Sequence, residues 1–251
     1  TGLTNGTSYV FRVAAINASG TGTASSASVS VTPATTPGAP TSVSATSNAN
    51  AQSVVTWTAP VSTGGSSITD YVVEYSSNSG STWTTFNDGT STTASATVTG
   101  LTNGTSYLFR VSAKNAIGTG SASTNSSAAI PAGTPGQPTN VASTNFDYAA
   151  KTISISWSAP TSNGGAAISD YVIEYSGSTN GPWTAFSHTA STATSITITG
   201  LSGLPATYVF RVSAVNAAGT GTASTPTTSM VLIKPATPGG SADNASRTSL
   251  T

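Results

Sequence analysis

The chain has 251 residues, 36% apolar and 6% charged side chains and a formal net charge of zero, so no basic excess exists to hold nucleic acid or an anionic membrane. It has no cysteine and no run of 18 apolar residues, which removes disulfide frameworks, thiolate chemistry and membrane-spanning helices. Serine, threonine, alanine and glycine dominate; hydroxyls do the solvating, and threonine favours strands. In chain order, period-two patterns predict strands over Ser8 to Asn17 and roughly Thr23 to Val31. Pro/Gly punctuation follows at Thr36-Pro37-Gly38-Ala39-Pro40. Seven further strands are predicted over Thr41 to Thr46, Ser53 to Thr58, Ile68 to Ser76, Thr82 to Phe86, Ser95 to Thr99, Thr105 to Asn115 and Ala122 to Ile130. Turn signals separate them at Gly64-Gly65, Asn78-Ser79-Gly80, Asp88-Gly89, Asn103-Gly104 and Gly118-Thr119-Gly120. A second mark, Thr134-Pro135-Gly136-Gln137-Pro138, opens another set of strands, and a third, Thr237-Pro238-Gly239-Gly240, closes it. Nothing reads as a helix.

The chain says the same thing three times. The phrase Gly2-Leu3-Thr4-Asn5-Gly6-Thr7-Ser8-Tyr9-Val10-Phe11-Arg12-Val13 returns nearly letter for letter as Gly100 to Val111, and loosened as Gly200 to Val212. Trp57 and Trp157 are 100 residues apart. A period near 100 with strand-like content is too long for a solenoid and fits whole β-sandwiches in tandem. The expected architecture is all-β, a tandem array of Ig-like sandwiches with seven strands each in Greek-key order. Residues 1–35 are read as the last two strands of a first domain, 36–133 and 134–236 as complete domains, and 237–251 as a linker and the start of a fourth. Since Thr1 falls inside a repeat, the expectation is a slice of a longer array, with strand donation from another chain as the alternative.

Particular residues then carry a family resemblance. Trp57 with Ala59-Pro60, Ile68, Asp70-Tyr71-Val72-Val73-Glu74-Tyr75, Leu101, Tyr107, Arg110-Val111, Ala113, Asn115, Gly118 and Gly120 resemble the fibronectin type III module. The third repeat shows the same marks at Trp157, Ala159-Pro160, Ile168, Tyr171, Tyr175, Leu201, Tyr208, Val212, Ala214 and Asn216. The resemblance implies a core around Trp57, Tyr71 and Tyr107 in one module and Trp157, Tyr171 and Tyr208 in the next. It also implies a tyrosine corner at Tyr107. The adhesion tripeptide Arg-Gly-Asp is absent, so integrin-style binding does not carry over. Alternation places Glu74 and Arg110 outward on neighbouring strands, where they should pair, as should Glu174 and Arg211.

Catalysis has little raw material. His188 is the single histidine and sits in a loop-like stretch; serines without a histidine–carboxylate constellation are no triad. The repeated Asp70 and Glu74, with Asp170 and Glu174, recur as a domain recurs, and are read as structural. No metal cluster and no cofactor is expected, and proline is expected to supply linker rigidity. Asn5, Asn17, Asn103, Asn125 and Asn244 open Asn-X-Ser/Thr triplets. Trp83 and Phe86, echoed by Trp183 and Phe186, are candidate glycan-stacking residues. Met230 and Leu232, expected outward on an apolar last strand, and Phe146 and Tyr148 in a lengthened loop are candidate interface residues.

The expected function is that of a structural spacer or fibre-forming segment of a secreted or cell-surface protein. It would work without catalysis, through packing or adhesion against further copies or neighbouring domains, with glycans as a possible additional partner. The alternatives are a non-catalytic accessory module of a secreted polysaccharide-degrading enzyme, or a virion fibre or decoration module.

Overall fold

The computed structural model describes residues 2–144, 146, 147, 149–201 and 207–231. It divides into two units, residues 1–133 with 164–166 and residues 134–163 with 167–251. In the first unit, β1 (Ile16–Asn17) and β2 (Gly20–Thr21) form a short hairpin. Then follow β3 (Thr41–Ala45), β4 (Gln52–Thr58), β5 (Ile68–Ser76), β6 (Thr84–Phe86), β7 (Ser95–Thr99), β8 (Leu108–Asn115) and β9 (Thr119–Ala122). Sheet β3-β4-β7 faces sheet β6-β5-β8-β9, every pair antiparallel. Alternation explains the layering: Ser53, Val55 and Trp57 of β4 turn inward, and so do Tyr71 and Val73 of β5 and Phe109, Val111 and Ala113 of β8. With Val98, Leu101 and Tyr107 they form one core shared by both sheets.

The second unit repeats the plan. Its strands are β10 (Thr139–Ser143), β11 (Ile153–Ser158), β12 (Ile168–Ser176), β13 (Thr184–Ala185), β14 (Ser195–Ile198), β15 (Thr207–Asn216), β16 (Gly219–Thr220) and β17 (Met230–Val231). Sheet β10-β11-β14 packs on sheet β13-β12-β15-β16, with β17 also paired to β15. Ile153, Ile155, Trp157, Tyr171, Ile173, Ile198, Leu201, Phe210, Val212 and Ala214 make its core.

The last stretches of the first and second repeats depart from the strands expected over roughly Thr23 to Val31 and Ala122 to Ile130, and residues 221–227 of the third share their pattern. Instead of pairing one to one, three residues advance for every two on the neighbouring strand. Gly22, Ser25, Ser28 and Val31 donate their N–H groups to the carbonyls of Ala15, Val13, Phe11 and Tyr9. Ser123, Ser126 and Ala129 donate to Val111, Phe109 and Tyr107; Gly221, Ser224 and Thr227 donate to Ala214, Val212 and Phe210. Two strand residues cover about 6.7 Å, so three residues in that length are too compressed for a β-strand. The returning N–H groups of Phe109 and Val111 are then accepted by side chains, Ser126 Oγ at 3.1 Å and Ser123 Oγ at 3.0 Å. Each hydroxyl also donates to the carbonyl of the residue after it, so the site needs a group that both accepts and donates. Ser126→Ala should lower stability by about 1–2 kcal/mol, because the buried Phe109 N–H loses its acceptor. Urea unfolding followed at the Phe109 amide would measure it, with exposed Ser127→Ala expected to be neutral.

Candidate functional site

The charged groups that recur with the repeat are engaged in holding it together. Glu74 lies opposite Arg110 in the β5–β8 register, and the guanidinium donates to it twice, Nε to Oε2 at 2.8 Å and Nη2 to Oε1 at 3.2 Å. Glu174 and Arg211 repeat this at 2.7 and 3.0 Å. Both pairs sit partly exposed, so each contributes roughly 0.2–1 kcal/mol. The Asp70 carboxylate accepts from the N–H groups of Tyr71 and Ser91, and Asp170 accepts from Ser191, so both anchor the loop after the adjacent edge strand. His188 in that loop has Nε2 2.8 Å from the Tyr171 carbonyl and Nδ1 2.9 Å from the Thr189 carbonyl. A cavity of about 80 Å³ lies beside it, lined by Trp157, Tyr171 and Ser191 among others, below the roughly 300 Å³ at which ligand pockets begin.

The candidate glycan residues do not form one platform. Phe86 pairs opposite inward-facing Val73 and packs against the core, while Trp83 lies on the other face, its ring 4.3 Å from the Arg110 guanidinium carbon. Phe186 likewise packs against the core and Trp183 covers Arg211. Residues three apart on a strand point to opposite faces, so the spacing itself held this correction. Two candidate interface residues are also corrected: Met230 and Phe146 are half-buried against the core of their own module. For Met230 the reason is the three-for-two spacing, which shifts the inward position that simple alternation assigns and brings Met230 opposite Tyr208. Leu232 and Tyr148 lie outside the described residues.

Among the aromatic marks, Trp57, Tyr71, Tyr107, Trp157 and Tyr171 are buried and Tyr208 is half-buried. Trp57 meets Tyr71, and Trp157 meets Tyr171, edge to face at 5.1 Å. The Tyr107 hydroxyl accepts the Thr102 N–H at 3.1 Å, which closes a tyrosine corner. Tyr9 makes the same bond to Thr4, and that N–H holds its phenol below the ordinary range. Burial, and then the neighbouring Tyr175, push the Tyr208 phenol up.

The densest polar construction missed by sequence reasoning is the joint before the second module. Gly6 N donates to the Pro33 carbonyl at 2.9 Å, and Asn5 Nδ2 to Thr35 Oγ1 at 3.2 Å. Thr35 N donates to the Gly64 carbonyl at 2.8 Å, and Gly38 N to the Ser62 carbonyl at 2.9 Å. Asn115 is 2% exposed and uses its whole amide: Nδ2 donates to the carbonyls of Thr35 and Thr63, and Oδ1 accepts from Ile117 and Gly118. Hydrogen bonds that the expectation of a proline-stiffened linker did not include tie residues 33–38 to the neighbouring loops. Asn103 Nδ2 likewise donates to Asn50 Oδ1 at 2.8 Å, so in two of the Asn-X-Ser/Thr triplets the acceptor nitrogen is already bonded.

The sequence profile of the fibronectin type III domain matches residues 38–129 and 136–230. The chain belongs to the fibronectin type III family. These fibronectin type III modules are similar to a stretch of human (Homo sapiens) myomesin-2, 32% identical over 225 residues, covering 88% of this chain and 15% of that protein. They are also similar to chitinase A1 of Niallia circulans, 41% identical over 135 residues, covering 51% of this chain and 18% of that one. The chain thus spans about a sixth of the length of these relatives. Among solved structures, the FN1–FN3 domains of chicken CNTN1 align over 92% of this chain and 78% of that one, at 24% identity and a TM-score of 0.49.

Proposed function

We propose that this chain is a non-catalytic structural segment of a secreted or cell-surface protein, a spacer of fibronectin type III modules that presents or packs against other proteins. The observation that carries it is the use made of the recurring charged groups. Glu74 and Arg110 clamp two strands, Asp70 holds a loop, and Arg110 in turn supports Trp83. Each has a positional role, and each role repeats in the third module. Similarity to myomesin-2 over most of the chain supports a structural role.

The similarity to chitinase A1 favours one second reading, an accessory module of a polysaccharide-degrading enzyme. Binding of the whole chain to chitin particles separates the two. The spacer reading expects no saturable retention. Saturable binding that is lost in a Trp83→Ala/Trp183→Ala variant would replace it with the accessory reading.

A further inference from the structure

We propose that the Pro60–Ser67 loop, with Asn115 and Gly120, is a socket for one kind of ligand: the Thr-Asn-Gly-Thr turn and trailing linker of a preceding repeat, here Thr4–Thr7 and Pro33–Gly38. The inference goes beyond the spacer reading and holds equally for an accessory arm. Three glycines carry it. A Cβ on Gly65 would lie 2.3 Å from Gly6 N and 2.7 Å from Asn5 C; one on Gly64 would lie 2.2 Å from the Thr35 carbonyl oxygen; one on Gly120 would lie 2.1 Å from that of Pro37. In all three the clashing atom is backbone, which cannot swing aside, so the bare backbone is a requirement of contact. Gly89 gives the contrast, with a similar positive φ and open space around it. Hydrogen bonds fix the register of what is bound: Gly64 and Ser62 carbonyls receive the linker's N–H groups, and the buried Asn115 amide grips the Thr35 carbonyl from the far side. The letters of turn and socket recur as Asn103-Gly104 and Gly164-Gly165. Within the second unit, Gly221 stands 2.2 Å by the same measure from the Pro135 carbonyl oxygen, and Asn216 Nδ2 donates to the Asn163 carbonyl at 2.7 Å.

Amide hydrogen exchange of the whole chain tests the socket. The Thr35 amide reports the bound linker, and the Phe109 amide reports the sandwich. In the wild type, Thr35 should exchange much more slowly than an unprotected peptide amide. Gly65→Ala should speed Thr35 by about tenfold or more while Phe109 stays protected, and Gly89→Ala should leave Thr35 within about twofold of wild type. Should Gly65→Ala also release Phe109, Asn5→Ala, which removes the hydrogen bond to the Thr35 hydroxyl, takes its place, with an expected acceleration of about threefold. An unprotected Thr35 in the wild type, or a Thr35 that stays as slow in the variants, overturns the socket.

Discussion

Phe109→Ala should destabilise the second module by about 3–5 kcal/mol. Phe109 is fully buried between the two sheets, and Val55, Trp57, Tyr71, Val73 and Val98 share one core with it. Truncating it leaves a cavity that neighbours on both sheets must collapse into. Urea unfolding would measure the loss, and a variant within about 1 kcal/mol of wild type would show that the core closes around the missing ring.

Asn115→Ala should cost about 3 kcal/mol, a large effect for one small polar side chain. The amide satisfies four backbone groups at once, the carbonyls of Thr35 and Thr63 and the N–H groups of Ile117 and Gly118. Each buried group left without a partner costs about 1–3 kcal/mol, and water can reach some of them at the loop rim. Asn115→Asp should lose nearly as much. A carboxylate keeps the two accepted bonds but points oxygen at the two carbonyls. Thermal unfolding of the three proteins compares them directly, and an aspartate variant as stable as wild type would show that the two donated bonds contribute little.

Where a feature depended on local periodicity, the letters disclosed it. Ile68–Ser76 is a strand with the predicted bounds, and Glu74 faces Arg110, because alternation and one register suffice to place them. Trp83 and Phe86 fall on opposite faces by the same rule, although pairing two aromatics as a platform overrode it. Period-two reading predicts strands over roughly Thr23 to Val31 and over Ala122 to Ile130. What reshapes them is a side-chain oxygen standing in for a backbone one, and period-two reasoning has no symbol for that. The joint was invisible for a different reason. Gly6 and Gly65 look like ordinary turn glycines, and only their meeting, 59 residues apart in sequence, shows that the missing side chains are a condition of contact.

The three-for-two segments bear on how an array of near-identical modules stays orderly. Neighbouring repeats that share most of a phrase are at risk of exchanging strands whenever one opens, since each could template the other. A segment compressed to three residues per strand pair exposes its outward N–H and C=O groups out of step with any regular strand. Ser123 and Ser126 also have their hydroxyls committed to the Thr124 and Ser127 carbonyls, which takes those two acceptors from an incoming strand. The hydroxyls that complete the pairing in each repeat, serine at most positions and Thr227 at one, thus also leave an edge that a regular strand does not match in step.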